Sequence, residues 1–285
     1  MITVSNERLS VHLLHPEHDN TRLGSRYCTG CYIYQVEHVE YGPLFSGPAY
    51  PDPTPPPFDG QGAPEAFTAP LGNADVSVGE TITIIGVGEV LRSSPTTPIH
   101  PRQNPTVKQF CQWEIEQSPD TVTMITRQRH TPFHITLSRT VRLNGCTLIS
   151  GTCLSNDSDR PLAVVWFPHP FFPLNTDFTC CRFHFDYHLP ENPAYRTAEN
   201  GTLCMKPEYN WKKGLFLKTV ISKGSTFKAD VMHPGCKKVT VTGDYPLATL
   251  PFWANANTFS PEPYMERELA KGQSAEWSIR YTFER

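Results

Sequence analysis

Three runs follow one another along the chain: Thr121-Val-Thr-Met-Ile-Thr126, His134-Ile-Thr-Leu-Ser-Arg-Thr-Val-Arg-Leu143 and Thr147-Leu-Ile-Ser-Gly-Thr-Cys-Leu154. Each alternates apolar with polar residues and is rich in β-branched side chains, the period-two pattern of a strand that buries one face and wets the other. Ser118-Pro-Asp120 stands before them, Leu143-Asn-Gly145 between the second and third, and Ser155-Asn-Asp-Ser-Asp-Arg-Pro161 after the third. These are turn-forming residues, so the segment from Gln112 to Leu154 predicts a meander of at least three strands. Runs of the same kind lie on both sides, at Thr81-Ile-Thr-Ile-Ile85, Val239-Thr-Val-Thr242 and Trp277-Ser-Ile-Arg-Tyr-Thr-Phe283, the last preceded by a Lys271-Gly-Gln273 turn. No stretch of about 15 residues carries a helical period. The fold class read from the pattern is all-β.

Composition points the same way. Proline supplies 28 of 285 residues and charged residues only 19%; average usage is about half that much proline and roughly a quarter charged. A chain this long buries roughly three quarters of the surface its unfolded form exposes, so it requires neither disulfides nor metal to fold. With 25 Lys and Arg against 28 Asp and Glu, and a net charge of -3, there is no basic field to hold a phosphate backbone, which argues against a nucleic-acid partner. The stretch from Met1 to Ser10 has no basic segment followed by an apolar one, and the longest apolar run, Leu162 to Phe167, falls far short of the roughly 18 residues a membrane helix needs. The expectation is a soluble, cytoplasmic protein with no membrane partner.

Nine cysteines, an odd number in a chain without an export signal, read as reduced thiols. Cys28-Thr-Gly-Cys31 has zinc or redox spacing, but no second pair follows at finger distance, and core thiols are the simpler reading. His130-Thr-Pro-Phe-His134 has the spacing of a zinc helix, yet its proline and flanking alternation belong to strands. Gly86-Val-Gly88 lacks the Lys-Ser/Thr and the helix of a phosphate loop. No metal is assigned. The proline-dense Pro48-Ala-Tyr-Pro-Asp-Pro-Thr-Pro-Pro-Pro57 reads as a covering loop rather than a linker, because the strand patterns before it are too short to form a domain. Pro190 to Gly214, with Tyr195, Tyr209 and Trp211, reads as a second loop over a site. One domain, residues 1–285, is expected.

The meander runs on into Asn156-Asp-Ser-Asp-Arg-Pro-Leu-Ala-Val-Val-Trp-Phe-Pro-His-Pro-Phe-Phe172. This stretch resembles the galactose mutarotase-like family, whose members pass from a strand through an Asn-containing turn into a His-Pro-Tyr-Phe element. Three more blocks are similar in the same order: Ser25-Arg-Tyr-Cys-Thr-Gly-Cys-Tyr-Ile-Tyr-Gln-Val36, Gly79 to Arg92, and Ser260-Pro-Glu-Pro-Tyr264 with the final strand from Trp277. The resemblance spans nearly the whole chain and implies a large antiparallel β-supersandwich.

It also implies a chemistry. Interconverting the anomers of an aldose means removing a proton from the C1 hydroxyl while protonating the ring oxygen, so that the open-chain aldehyde can turn over and close again. One acid and one base suffice, without a cofactor. By position, His169 in the His-Pro element is the acid and Glu262 in the Glu-Pro element the base; Arg26, Arg92, His100, Phe171 and Trp253 are the candidate substrate-binding residues. Histidine suits proton transfer near neutrality, and burial tunes a glutamate upward as a base. On the residues alone, His169 between two prolines also reads as a core or turn histidine, Glu262 as a solvated loop carboxylate rivalled by Glu266 and Glu268, Arg92 as a turn cap and Arg26 as an edge-strand residue.

The chain departs from the family where a second histidine stands before the meander, a role His100 could take. The aspartate that holds sugar hydroxyls has only Asp230 as a positional candidate. Lys218, Arg92 and Arg102 are considered for a phosphate subsite. The function implied is an aldose 1-epimerase-like isomerase acting on a small carbohydrate, as a monomer or weak homodimer; the alternative is a non-catalytic carbohydrate-binding or regulatory protein of the same fold. A gap one pyranose wide between His169 and Glu262 is expected of the enzyme, and a salt bridge or burial of either is expected of a binding or structural role. The enzyme is also expected to give a bell-shaped pH profile with a broad neutral top.

Overall fold

The computed structural model describes residues 1–71, 76–222 and 224–284. The predicted meander is its centre. Glu114–Gln117, Thr121–His130, Phe133–Asn144 and Thr147–Asn156 pair antiparallel in sequence order, with Thr121 opposite Arg142 and Asn144 opposite Thr147. The alternation read from sequence is the alternation of burial: Val122, Met124, Ile135, Leu137, Val141, Leu148 and Leu154 face inward. The C-terminal strand Ser274–Glu284 then inserts between Thr147–Asn156 and Lys238–Pro246. Ser274–Glu284 thus sits in the middle of the largest sheet, which among the described residues has ten strands and continues through Thr226–Met232, Thr179–Phe183, Leu203–Met205 and Tyr195–Thr197.

Smaller antiparallel sheets close over this one. Ile2–Ser5, Leu9–Leu13, Ile33–His38 and Gly42–Pro43 form the N-terminal sheet. Glu65–Phe67, Leu162–Pro168 and Met265–Leu269 form a three-stranded sheet, and Phe172–Pro173, Thr258–Pro261, Leu250–Ala254, Leu215–Ile221 and Tyr187–His188 a five-stranded one. Pro70–Leu71, Thr81–Ile84, Gly88–Leu91 and Val107–Phe110 make a further sheet of four. Helical structure among the described residues is limited to three 3-10 turns, and no helix there is long and apolar enough to cross a membrane.

A buried ion pair joins the sheets. Glu65, on the three-stranded sheet, lies 2.5 Å from Arg139 of the ten-stranded sheet, and both side chains are almost wholly inaccessible. Ser150 Oγ and Trp166 Nε1 donate to the Glu65 carboxylate, while Arg139 donates to Ser150 and Thr152. Charges survive burial when paired and hydrogen-bonded in this way. Trp166, Trp277 and Tyr245 pack edge to face beside it.

All nine cysteines are free thiols. Burial pushes Cys28 up to about 11 and Cys31 up to about 12, so both stay protonated, and among the described residues no group of His, Cys, Asp and Glu is placed to hold a metal. The Pro190–Gly214 segment departs from the expectation of a loop over a site. It supplies the last two strands at one end of the ten-stranded sheet, and Tyr195 packs on both Trp211 and Phe252, because aromatic rings flanked by strand residues gain more from the core than from a solvent loop. The two N-terminal strands are not evident in the sequence pattern, being only four and five residues long.

Candidate active site

Two chain crossings build the site. Leu162–Pro168 belongs to the three-stranded sheet and Phe172–Pro173 to the five-stranded one, so His169-Pro170-Phe171 is the link between sheets. In the opposite direction, Thr258–Pro261 belongs to the five-stranded sheet and Met265–Leu269 to the three-stranded one, so Glu262-Pro263-Tyr264 is a second link between the same sheets. Each link has a proline at its centre, and a residue without an N–H ends a ladder. The sheets are paired on both sides of the gap, so the links lie side by side and His169 meets Glu262.

Backbone bonds fix the crossing. The N–H of His169 donates to Pro64 O at 2.7 Å, that of Phe171 to Gly62 O at 2.7 Å, and that of Glu262 to Pro251 O at 2.9 Å. Gly62 has a φ of +82°, and a Cβ there would stand 2.3 Å from Ile33 O, so only glycine fits.

The His169 Nε2 lies 3.2 Å from Glu262 Oε1, and its Nδ1 lies 2.7 Å from Ser260 Oγ. Both partners of the ion pair are buried, at 2% and 3% side-chain exposure. The expected gap one pyranose wide is therefore absent, and contact and burial are the features expected of a binding or structural role. The expectation misjudged the spacing a hemiacetal needs. The hydroxyl that loses a proton and the ring oxygen that gains one are bonded to the same carbon, so acid and base need only reach neighbouring atoms, not span a ring. The contact is thus compatible with either function.

Burial pushes the Glu262 carboxyl up to about 7, against the pull of the Arg26 guanidinium. The same burial, reinforced by Arg26, holds His169 well below the ordinary imidazole range. Below about 7 the Glu262 carboxyl therefore keeps its proton while His169 stays neutral.

The pair sits in the wall of a cleft of about 470 Å³ that Arg26, His100, Phe171 and Trp253 also line. Four of the five candidate substrate-binding residues thus meet there with both candidate catalytic residues. Trp253 faces Phe216 across paired strands, and the Phe216 ring is 55% exposed, which puts two aromatic faces at the rim. Arg26 and Arg102 both lie against the Phe58 ring, and Arg102 is 3.6 Å from Asp59. The end of the proline-dense segment is in this way clamped over the cleft, with Pro48, Phe58 and Asp59 in its lining, as a covering loop should be.

Arg92 is the exception among the candidates. It lies beyond the strand Gly88–Leu91, outside the cleft lining, and its guanidinium donates to the carbonyls of Val76 and Ser94. The small four-stranded sheet uses it to tie its own loops. Asp230 is also displaced: it faces His184, Lys238 and Thr240 on the ten-stranded sheet, where strand pairing supplies its partners. Lys218 does not line the cleft, leaving Arg102 alone of the three cations considered for phosphate. Glu266 and Glu268 are exposed on Met265–Leu269 and do not rival Glu262.

Ser260, Asp59, Phe58, Tyr264 and Phe216 are the site residues that sequence reasoning missed. Ser260 had a signal, since residues two apart on a strand share a face and Glu262 follows by two. Asp59 had none, because its approach depends on how the loop folds back.

The antiparallel sheets form a large β-sandwich whose fold is that of galactose mutarotase-like solved structures. No family model matches the chain, and no curated protein matches it in sequence. Solved structures do match in fold. A galactose mutarotase related enzyme from Lactobacillus acidophilus is similar with a TM-score of 0.64 at 13% identity, over 100% of this chain and 97% of the other. A galactose mutarotase-like protein from Lactobacillus casei gives 0.55 at 15% identity, with 100% of each chain covered. An Escherichia coli K12 protein provisionally named an aldose 1-epimerase gives 0.58 at 14%, over 99% and 98%.

Proposed function

We propose that the protein is an aldose 1-epimerase-type isomerase, which interconverts the α and β anomers of a sugar or sugar derivative without a cofactor. The reading places it in the cytoplasm, where nine free thiols stay reduced. The observation that carries it is the 3.2 Å contact between His169 and Glu262 in the wall of a cleft with aromatic faces at its rim.

The pair works with one proton. When it rests on Glu262, the carboxyl donates to His169 Nε2, and His169 Nδ1–H donates to Ser260 Oγ. When it crosses the contact, Glu262 is a carboxylate and His169 an imidazolium, with Nδ1–H still on Ser260. In that second state His169 protonates the ring oxygen as the C1–O bond of the ring breaks, and Glu262 takes the proton of the C1 hydroxyl as the carbonyl forms. Rotation about C1–C2 presents the other aldehyde face, and the reverse transfers close the ring. Atoms and charge balance with no oxidant or reductant. In this reading Arg26 and His100 hold sugar hydroxyls, and Trp253 and the exposed Phe216 take the apolar ring face, with the buried Phe171 packed edge-on behind Trp253.

The closed, buried contact also supports a second reading, a carbohydrate-binding protein of this fold that performs no chemistry. One measurement separates them: the rate at which freshly dissolved α-D-glucose and α-D-galactose approach anomeric equilibrium, by polarimetry or NMR, with wild type and His169→Asn in parallel. Acceleration by wild type alone supports the isomerase. Sugar binding without acceleration supports the second reading.

A further inference from the structure

A second cavity, of about 320 Å³, adjoins the cleft and shares Arg26, His100 and Tyr264 with it. Its other walls are mainly apolar, with Ser25, Thr68 and Asn104 as the polar residues among them. Ala66 and Phe167 come from the three-stranded sheet, and Ile82, Ile84, Val90 and Ile99 from the small four-stranded sheet and its loop. Ala66 and Phe167 belong to one hydrophobic cluster and Ile82, Ile84 and Val90, with Ile99 packed on them, to another, while Phe67 in the same lining belongs to the main core. Interiors are otherwise close-packed, and apolar surfaces facing each other across open space forgo the contacts that packing supplies. Arg26 and His100, the basic side chains in the lining, lie on the wall shared with the cleft, and among the described residues the lining has no carboxylate. Its polar groups are largely taken: Ser25 Oγ donates to Pro101 O, and Asn104 bonds Ser93, Ser94 and His100.

Resting on the proposed function, we infer that the substrate is an amphiphilic aldose: a sugar with a free C1 hydroxyl that carries a short acyl group elsewhere on the ring. The sugar occupies the cleft and the acyl chain the adjoining chamber. A second sugar in the chamber would find few free hydrogen-bonding partners, and an anionic group would lie against isoleucine and valine, whereas an acyl chain matches the walls. Size agrees, since an apolar cavity of about 150 Å³ already holds benzene. The ester carbonyl falls at the shared wall, within the region of the Arg26 and His100 donors.

The test compares the affinity of the intact protein for D-glucose and for 6-O-hexanoyl-D-glucose by titration calorimetry, with 1-hexanol as a third ligand. Mutarotation of both sugars is followed separately. Each methylene buried is worth roughly fourfold in affinity, so the ester should bind at least about tenfold more tightly than glucose. Thr68→Trp and Ile99→Trp, at lining positions outside the catalytic pair, should fill the chamber and reduce that advantage below about twofold while leaving glucose mutarotation unchanged. Equal affinity for the two sugars overturns the inference, as does an advantage that survives both variants. Hexanol binding as tightly as the ester also overturns it, since the chamber would then act apart from the cleft. An ester preference lost in both variants, with no mutarotation of either sugar, leaves the chamber standing and removes the isomerase reading.

Discussion

In the proposed reaction His169 and Glu262 work as a couple, and their common burial sets how they respond to pH. The competent state holds one proton between them. It is lost above about 7, when Glu262 gives up its proton, and again well below 6.5, when His169 gains a second one. The profile of kcat/KM should therefore be a bell lying on the acid side of neutrality, not the broad neutral top read from ordinary side-chain values; initial rates of α-D-glucose mutarotation across pH 4 to 9 check it. Glu262→Gln and His169→Asn should each lower turnover by about a hundredfold or more with the fold intact. Glu262→Gln also has a stability signature. The carboxyl is raised in the folded state, so its contribution is fully present below the unfolded value and lost as pH rises through about 7. The variant should thus melt progressively higher than wild type as pH climbs from 5 to 8, and a pH-independent difference would count against the buried, raised carboxyl. Ser260→Ala should shift the pH limbs as well as the rate, because Ser260 reaches the chemistry only through His169 Nδ1.

At the scale of elements, the site exists because two links between the same pair of sheets run side by side. His-Pro-Phe and Glu-Pro-Tyr could be read in the sequence as interruptions of strands, but that they adjoin follows from sheet order alone. Gly62 holds the arrangement by accepting the Phe171 N–H at a φ of +82°. Gly62→Ala should cost about 1–3 kcal/mol, from strain and from the clash with Ile33 O. Thermal unfolding should record that loss, together with lower mutarotation as the His169 link shifts. The misplacement of Arg92 belongs to this scale too. Its approach to Gly86-Val-Gly88 was legible, yet which way the turn faced was set by the pairing of Gly88–Leu91 with Val107–Phe110.

Across the whole molecule, the Glu65–Arg139 pair ties the sheet that carries the site to the ten-stranded sheet beneath it. Removing one partner leaves a buried charge without its mate, so Glu65→Leu or Arg139→Met alone should destabilise by about 3–5 kcal/mol, while the double variant should recover much of that; chemical denaturation of all three checks it. Strand identity was decided by sequence: the alternation from Thr121 to Leu154 is a local property that half-buried strands impose on each residue, and it survives as the burial pattern of the sheet. The sequence likewise determined that the chain has no basic field and no apolar run long enough for a membrane helix. The candidates His169, Glu262, Arg26, His100, Phe171 and Trp253 were legible through a resemblance of short motifs. Tertiary structure alone decided that these six share one cleft, that Arg92 and Asp230 do not, and that His169 and Glu262 touch. The reason is that a strand pattern reports which face of each residue is buried but not which strand lies next to it, and neighbours far apart in sequence, such as His169 and Glu262, are chosen by the order of strands across the sheets.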